Sequence, residues 1–320
     1  MDHRFLPSAR VSAVAMAAAL LAAVPVFAQA PAASSPRAGA KSWTPSRTAD
    51  GQPDIQGTWV NFDSTPFEAP TGAPAAPAAP NPGINPPAHW AEHDSPTSAR
   101  RQSMVVEPAD GRVPVLPWAE ARRDYDLARL GDSYVHETPW VRCITRGVPA
   151  GMFPAGYNNA YQIIQIPGYV VIAYEMIHET RIIPLDGRPH VGPAIRLWNG
   201  DPRGHWEGNT LVVETTNYND RGSIATSAAT GRIRGIPQSE MLHVVERFTR
   251  VDANTVNYEV TIEDPKVYSK PWKVVLPLNS DPKYQFFEYG CHEGNVAMAA
   301  ELSGGRAQEK AAAVAAHDKR

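Results

Sequence analysis

Cysteine is scarce in this chain, and neither sign of charge prevails. The 320 residues include two cysteines, and 30 basic side chains face 33 acidic ones for a net charge of −3. A domain built to bind nucleic acid carries a marked basic excess, so that partner is excluded. The cysteines form neither a Cys-x-x-Cys pair nor a Cys/His zinc spacing, which leaves a structural zinc site without support. The ten histidines show no His-x-His or His-Glu-x-x-His spacing, and no metal is expected from local ligands. The Gly-x-Ser-x-Gly elbow of serine hydrolases is missing. The stretch Gly200 to Gly204 lacks the Gly-Lys pair of a phosphate cradle and runs into a strand rather than a helix. No organic cofactor is implied. Beyond Phe27 no apolar run approaches the length of a membrane span, and the mean hydropathy is −0.34. A polytopic membrane protein is thereby excluded.

Proline is plentiful instead. Most of the 31 prolines crowd into the first 120 residues, and that third is expected to supply little packed core. Met1 to Ala30 has the form of a secretory leader. Arg4 and Arg10 precede the uncharged Val11 to Phe27, and small residues flank a cleavage site after Ala28. Residues 1–28 are therefore expected to be a signal peptide and the mature chain periplasmic or secreted, with no stable membrane span after cleavage. The alternative is an uncleaved anchor helix, which Pro25 would interrupt. In an oxidising compartment an even cysteine count favours a Cys143–Cys291 disulfide over two free thiols.

Residues 29–139 read as an extended Pro/Ala-rich arm carrying one strand (55–62) and one helix (118–130). From Pro66 to Pro87, eight of 22 residues are proline and six alanine, a composition for a polyproline-like spacer or surface wrap. The helix has Pro117 at its first position, Gly131 at its end, and a stripe of Trp118, Ala121, Tyr125 and Ala128. Residues 140–295 then read as consecutive short strands: 161–166, 169–176, 181–185, 205–207, 211–216, 242–250, 256–262, 272–278 and 285–289. Tight turns such as Pro167-Gly168, Gly208-Asn209 and Asp252-Ala253-Asn254 join many of them. Strands without intervening helices imply an all-β, antiparallel, up-and-down barrel of about 8–10 strands, with a β-sandwich as the alternative. Residues 296–320 read as a short helix followed by a frayed or flexible tail.

Four segments carry a resemblance: "LDGRPH" (185–190), "HWEGNTLVVET" (205–215), "HVVERF" (243–248) and "EYGCHEGN" (288–295). In this order they resemble a family of uncharacterised secreted bacterial proteins that commonly read LDGRPH, GRWEGDTLVVDT, ERF and EYxCxEN. The resemblance spans about residues 140 to 295 and brings no catalytic role with it. The chain departs from the pattern at His205 (for Arg) and Asn209 (for Asp). Separately, Gly57-Thr58-Trp59 is similar to the Gly-x-Trp of lipocalins, which implies a lipocalin-like barrel.

Period-two counting locates acids on faces that should be apolar. Glu246 shares a face with Leu242, Val244 and Phe248, Glu175 with Val171 and Ala173, and Glu288 with Tyr284 and Phe286. Carboxylates so placed must be paired or carry a raised pKa, and a raised pKa suits a general acid. Arg181 and Arg247 are the candidate partners, either as anion stabilisers in catalysis or as members of structural ion pairs. His190 and His205 flank a loop rich in Gly and Pro that carries Trp198 and leads to Trp206. With Tyr258 on the apolar face of its strand, these form the candidate ligand-binding set. Three functions follow. One is a cofactor-independent hydrolase, lyase or isomerase acting on a small, partly apolar substrate through Glu246, Glu175 or Glu288. Another is a non-catalytic barrel that binds a small hydrophobic ligand. A third, an envelope-associated structural protein, would use the Pro-rich arm to wrap a partner.

Overall fold

The computed structural model describes residues 43–61, 65–71 and 101–317. The expected leader and the Pro/Ala stretch beyond residue 71 lie outside the described residues. Ten strands form a single antiparallel sheet: β1 (Gly57–Val60), β2 (Val105–Glu107), β3 (Ala160–Ile166), β4 (Tyr169–Tyr174), β5 (Thr180–Pro184), β6 (Asp201–Glu207), β7 (Thr210–Thr216), β8 (His243–Asp252), β9 (Thr255–Glu263) and β10 (Trp272–Ser280). Hydrogen bonding runs β5-β4-β3-β1-β10-β9-β8-β7-β6, with β2 added against β10. Followed around the ring this is an up-and-down order, and the sheet curls into a nearly closed barrel whose seam falls between β5 and β6. A single continuous sheet replaces the sandwich alternative.

Alternation is the cause of the wall. In β8, Val244, Glu246 and Phe248 are buried; in β9, Val256, Tyr258, Val260 and Ile262; in β10, Trp272, Val274, Leu276 and Leu278. Each set points inward at every second residue, as the pleat requires. The ring is completed by a strand from far upstream. β1 pairs with β3 through Trp59↔Tyr161 and with β10 through Trp59↔Ser280. Trp59 is fully buried, donates from Nε1 to the Ile55 carbonyl at 2.9 Å, and lies under Arg250, whose guanidinium carbon is 5.2 Å from the ring centroid. At the seam, β5 and β6 pack without a ladder. A Cβ on Gly204 would stand 2.7 Å from Leu185 and 2.8 Å from Ile183, so only glycine permits this approach.

Several expectations are corrected. Residues 285–289 form no strand. They belong to a tail segment that packs back over Glu175. Helix α1 (Pro117–Leu127) exists, but its buried residues are Ala119 and Arg123, while Trp118 is 50% and Tyr125 48% exposed. The inward face is chosen by a polar neighbour: Arg123 donates to the Arg232 carbonyl, and Arg232 pairs with Glu68 and Glu120. The C-terminal region is one continuous helix, α2 (Ala297–His317), rather than a short helix and a tail. Residues 66–69 are more than a surface spacer. Phe67 and Ala69 are buried, and the Phe67 ring meets Phe153 at 4.9 Å. Among the described residues no helix is long and apolar enough to cross a membrane.

Cys143 and Cys291 are joined, with Cα atoms 5.7 Å apart. The bond connects the loop before β3 to the segment after β10. It does not clamp the strands themselves, which β1 holds by hydrogen bonds. Closing a loop of 148 residues restricts the unfolded chain by about 5 kcal/mol in the chain-entropy model. A Cys143→Ser, Cys291→Ser double variant is therefore expected to unfold at markedly lower denaturant concentration than the oxidised protein. Matching denaturation midpoints would show that the cross-link contributes nothing.

Candidate functional site

Of the carboxylates singled out from the sequence, Glu246 points into the barrel. It is fully buried on β8, opposite Val213 of β7 and Val260 of β9. From β5, Arg181 (4% exposed) meets it with both terminal nitrogens: Nη1 to Oε1 at 3.0 Å and Nη2 to Oε2 at 2.6 Å. Arg181 Nη1 also donates to the Tyr174 hydroxyl at 3.0 Å, and the Tyr258 hydroxyl donates to Glu246 Oε1 at 2.9 Å. Burial alone would lower the Arg181 pKa, yet the Glu246 charge and the Tyr174 hydroxyl hold it well above its usual value. Burial likewise raises Tyr258, Tyr174 and Tyr218. Glu246 is thus a fork-to-fork ion-pair partner with every oxygen engaged, in a place no solvent reaches.

The other singled-out residues are dispersed. β4 ends at Tyr174, and the face shared by Val171 and Ala173 is the outer one, which corrects the placing of Glu175 on an inward strand face. Glu175 is buried instead beneath the tail, accepting from the Tyr284 hydroxyl and from the Phe287 N–H at 2.9 Å. Glu288 is exposed. Arg247 lies on the outer surface and pairs with Glu207 at 2.8 Å; His205 also reaches Glu207, at 3.2 Å. His190 is held by Asp201 at 3.2 Å, next to the Val191 N–H bonded to the same oxygen. Trp206 is half-buried against the core. Tyr258 joins Glu246 and Arg181; Trp198 lines a cavity elsewhere.

That cavity, about 610 Å³, lies between α1, the 135–142 loop and the excursion from Asp220 to Glu240. Trp118 and Trp198 are its aromatic walls. Among its lining cations, Arg122 pairs with Asp126 and Lys266 with Glu240, whereas Arg142 and Arg221 pair with no described carboxylate. Arg142 rests over the Tyr134 ring at 5.3 Å. His136 Nδ1 lies 2.8 Å from Asp126 Oδ1 in the same wall. Apart from Trp198, this set was not legible as a site. Its residues come from three separated loops, and no periodic pattern links them.

Glu137, also in this wall, is buried, and neither of its oxygens has a donor among the described residues. Its neighbour is Glu301 of α2. Two carboxylates bond only when one holds a proton. Burial first, then the hydrogen bond and charge of Glu301, raise Glu137 to about 7, with Arg234 opposing. Nearby, Arg306 of α2 donates to the Gly131 and Asp132 carbonyls at 3.1 Å. A Cβ on Gly305 would meet the Gly131 carbonyl oxygen at 2.3 Å, so the helix can dock this closely only through glycine.

Two outcomes are expected. Glu246→Gln breaks a buried pair and leaves Arg181 uncompensated, which costs roughly 3–5 kcal/mol in urea denaturation. A change within experimental scatter would give the carboxylate a role other than structural. For Glu137, the folded protein holds the proton more tightly than the unfolded chain. Its stabilisation is therefore complete below the ordinary value of 4.5 and is lost as pH rises through about 7. Denaturation midpoints should fall between pH 5 and pH 8, and Glu137→Gln should flatten that dependence.

No family model, curated protein or solved structure matches this chain, so the reading of its site rests on the geometry above.

Proposed function

We propose that this protein is an exported barrel that binds a small anionic ligand with an aromatic or apolar portion, seated in the 610 Å³ cavity. The carrying observation is the pair of guanidiniums without a carboxylate among the described residues, Arg142 and Arg221, in the same wall as Trp118 and Trp198. The volume falls within the range of small-molecule sites, about 300–1,000 Å³. Guanidinium donors suit a carboxylate or another oxyanion, and the indoles suit a flat apolar body. Export is supported by the leader-like start and by the disulfide, a bond that persists in oxidising compartments. The sequence resemblance to secreted bacterial proteins points the same way.

One observation favours the enzymatic reading. His136 lines the cavity with Nδ1 held by Asp126 at 2.8 Å, an arrangement that orients an imidazole as a general base. A hydrolase, lyase or isomerase would then work here, at His136, rather than at the enclosed Glu246.

Titration with a panel of aromatic and aliphatic carboxylates, followed by tryptophan fluorescence, tests the binding reading. Saturable quenching is expected, and Arg142→Gln and Arg221→Gln should each weaken it by roughly ten- to hundredfold, the scale of a lost charged hydrogen bond. Unsaturable signals across the panel, or unchanged affinity in both variants, would overturn it. Chemical conversion of a bound compound by the wild type, lost in His136→Gln while binding persists, would establish the enzymatic reading instead.

A further inference from the structure

Ahead of β3 the chain runs through the interior with one 3-10 turn (Ala150–Met152) and otherwise irregular backbone, and every residue from Thr145 to Phe153 is buried. Irregular backbone usually stays at the surface, where water meets its polar groups. Here the groups are met from within. Gly147 N–H donates to Thr145 Oγ1 at 2.8 Å, Asn61 Nδ2 donates to the Met152 carbonyl at 2.8 Å, and Gly151 presses against the Tyr174 ring. Phe153 packs against Phe67 and Trp272. One charged side chain in this segment is not met. Arg146 is 3% exposed, and Nη2 donates to the Phe153 carbonyl at 3.1 Å, but Nε and Nη1 are buried without an acceptor among the described residues.

An arginine does not escape this by losing its proton, and an unpaired buried cation costs several kcal/mol. The nearest carboxylate is committed elsewhere. Glu179 accepts from Thr145 Oγ1 at 2.7 Å and from Asn199 Nδ2, and takes the backbone N–H of Arg146 rather than its guanidinium. Burial raises its pKa, and its charge favours the Arg146 cation without a bond to the guanidinium. The second interior acid, Glu246, is neutralised by Arg181. The remaining electrostatic neighbours of Arg146 are Tyr161, Tyr157 and Tyr174. Tyr174 already accepts a hydrogen bond from Arg181, which leaves its own proton for an acceptor. The Arg146 guanidinium rests 5.8 Å from the Trp140 ring centroid, a contact that fills no donor. What the segment leaves open is therefore a buried guanidinium with two N–H donors that no described residue fills.

We propose that Arg146 seats a small monovalent anion inside the barrel, held by Nε and Nη1. This site is separate from the 610 Å³ cavity, whose lining does not include Arg146. Halide and small carboxylate share the required chemistry: one negative charge, compact size and acceptor capacity in several directions. The anion fills both open donors and locks the buried segment in place.

The test uses the full oxidised protein, freed of halide by exchange into gluconate at constant ionic strength, a counter-ion too bulky for the site. Bromide or formate is then added separately, with prolonged equilibration because the site is enclosed. Thermal unfolding should shift upward and saturate with at least one of the two. Bromide protection identifies a halide site; formate protection without bromide protection identifies a carboxylate site. Crystals grown in bromide, or in formate if only formate protects, should show the anion in contact with Nε and Nη1, by anomalous scattering in the bromide case. Because this readout is made on the wild type, it does not depend on a variant folding. Arg146→Lys and Arg146→Met should each lose the saturable shift. Ordered water alone on both nitrogens, or equal unfolding midpoints in gluconate, bromide and formate, would overturn the proposal.

Discussion

A barrel whose ladder is interrupted between β5 and β6 has two strand edges to hold together without backbone hydrogen bonds. The Arg181–Glu246 pair does this from inside. It reaches from β5 past β6 and β7 to β8, so the seam is spanned by a bidentate contact between side chains rather than by a ladder. The pair works because both ions are enclosed. In that setting their attraction is little screened, and the hydroxyls of Tyr174 and Tyr258 add hydrogen bonds, while Arg181 Nε has no acceptor among the described residues. Removing one member would expose the other to the full cost of burial. The seam also depends on Gly204, where any side chain would drive β6 away from Ile183 and Leu185. Pro184 and Pro202 lie on the two seam strands, positions where proline discourages pairing with another chain.

Inside this wall the molecule is divided into an apolar part and a polar part. β9 and β10 supply branched and aromatic side chains that pack with Phe67, Phe153 and Trp59. The polar part gathers Arg146, Glu179, Arg181, Glu246 and several tyrosines, contributed by β4, β5, β8, β9 and the buried segment before β3. Such a concentration of interior charge is unusual for a purely structural core, since apolar residues would give comparable stability without desolvation. Outside the wall, α1, the 135–142 loop and the excursion after β7 frame a cavity lined by charged groups and two indoles. Tight packing holds the barrel together, while the ligand-sized space lies among the loops attached to it.

Much of the fold was legible residue by residue. Nine of the strands were readable because inward and outward residues alternate and because turns such as Gly208-Asn209 mark their ends. The alternation failed where both faces of a strand are apolar. In β4, Tyr169, Val171 and Ala173 are as hydrophobic as Val170, Ile172 and Tyr174, so period-two counting had no contrast and set Glu175 on a face that proves to be outer. In β8 the contrast between Val244/Phe248 and Val245/Arg247 is sharp, and Glu246 was placed correctly. The run Gln285 to Tyr289 has strand-like composition but no neighbouring edge to join, so it settles as a covering segment. β2 was missed because it is only three residues long.

The sequence by itself determined where most of the strands lie and that consecutive ones pair antiparallel, and it favoured the pairing of Cys143 with Cys291. These follow from signals that are local or, for the cysteines, from a count that leaves one pairing. Tertiary structure alone decided that β1 inserts between β3 and β10, that Arg181 rather than Arg247 meets Glu246, and that the Arg146 guanidinium is enclosed with no described carboxylate bonded to it. It also brought Arg142, Arg221, Trp118 and Trp198 into one wall. These contacts join residues tens to more than a hundred positions apart, through a ring closure and loop packing that no periodic pattern encodes. Which charges meet depends on where the closed barrel carries them, and that is set by packing the whole chain at once.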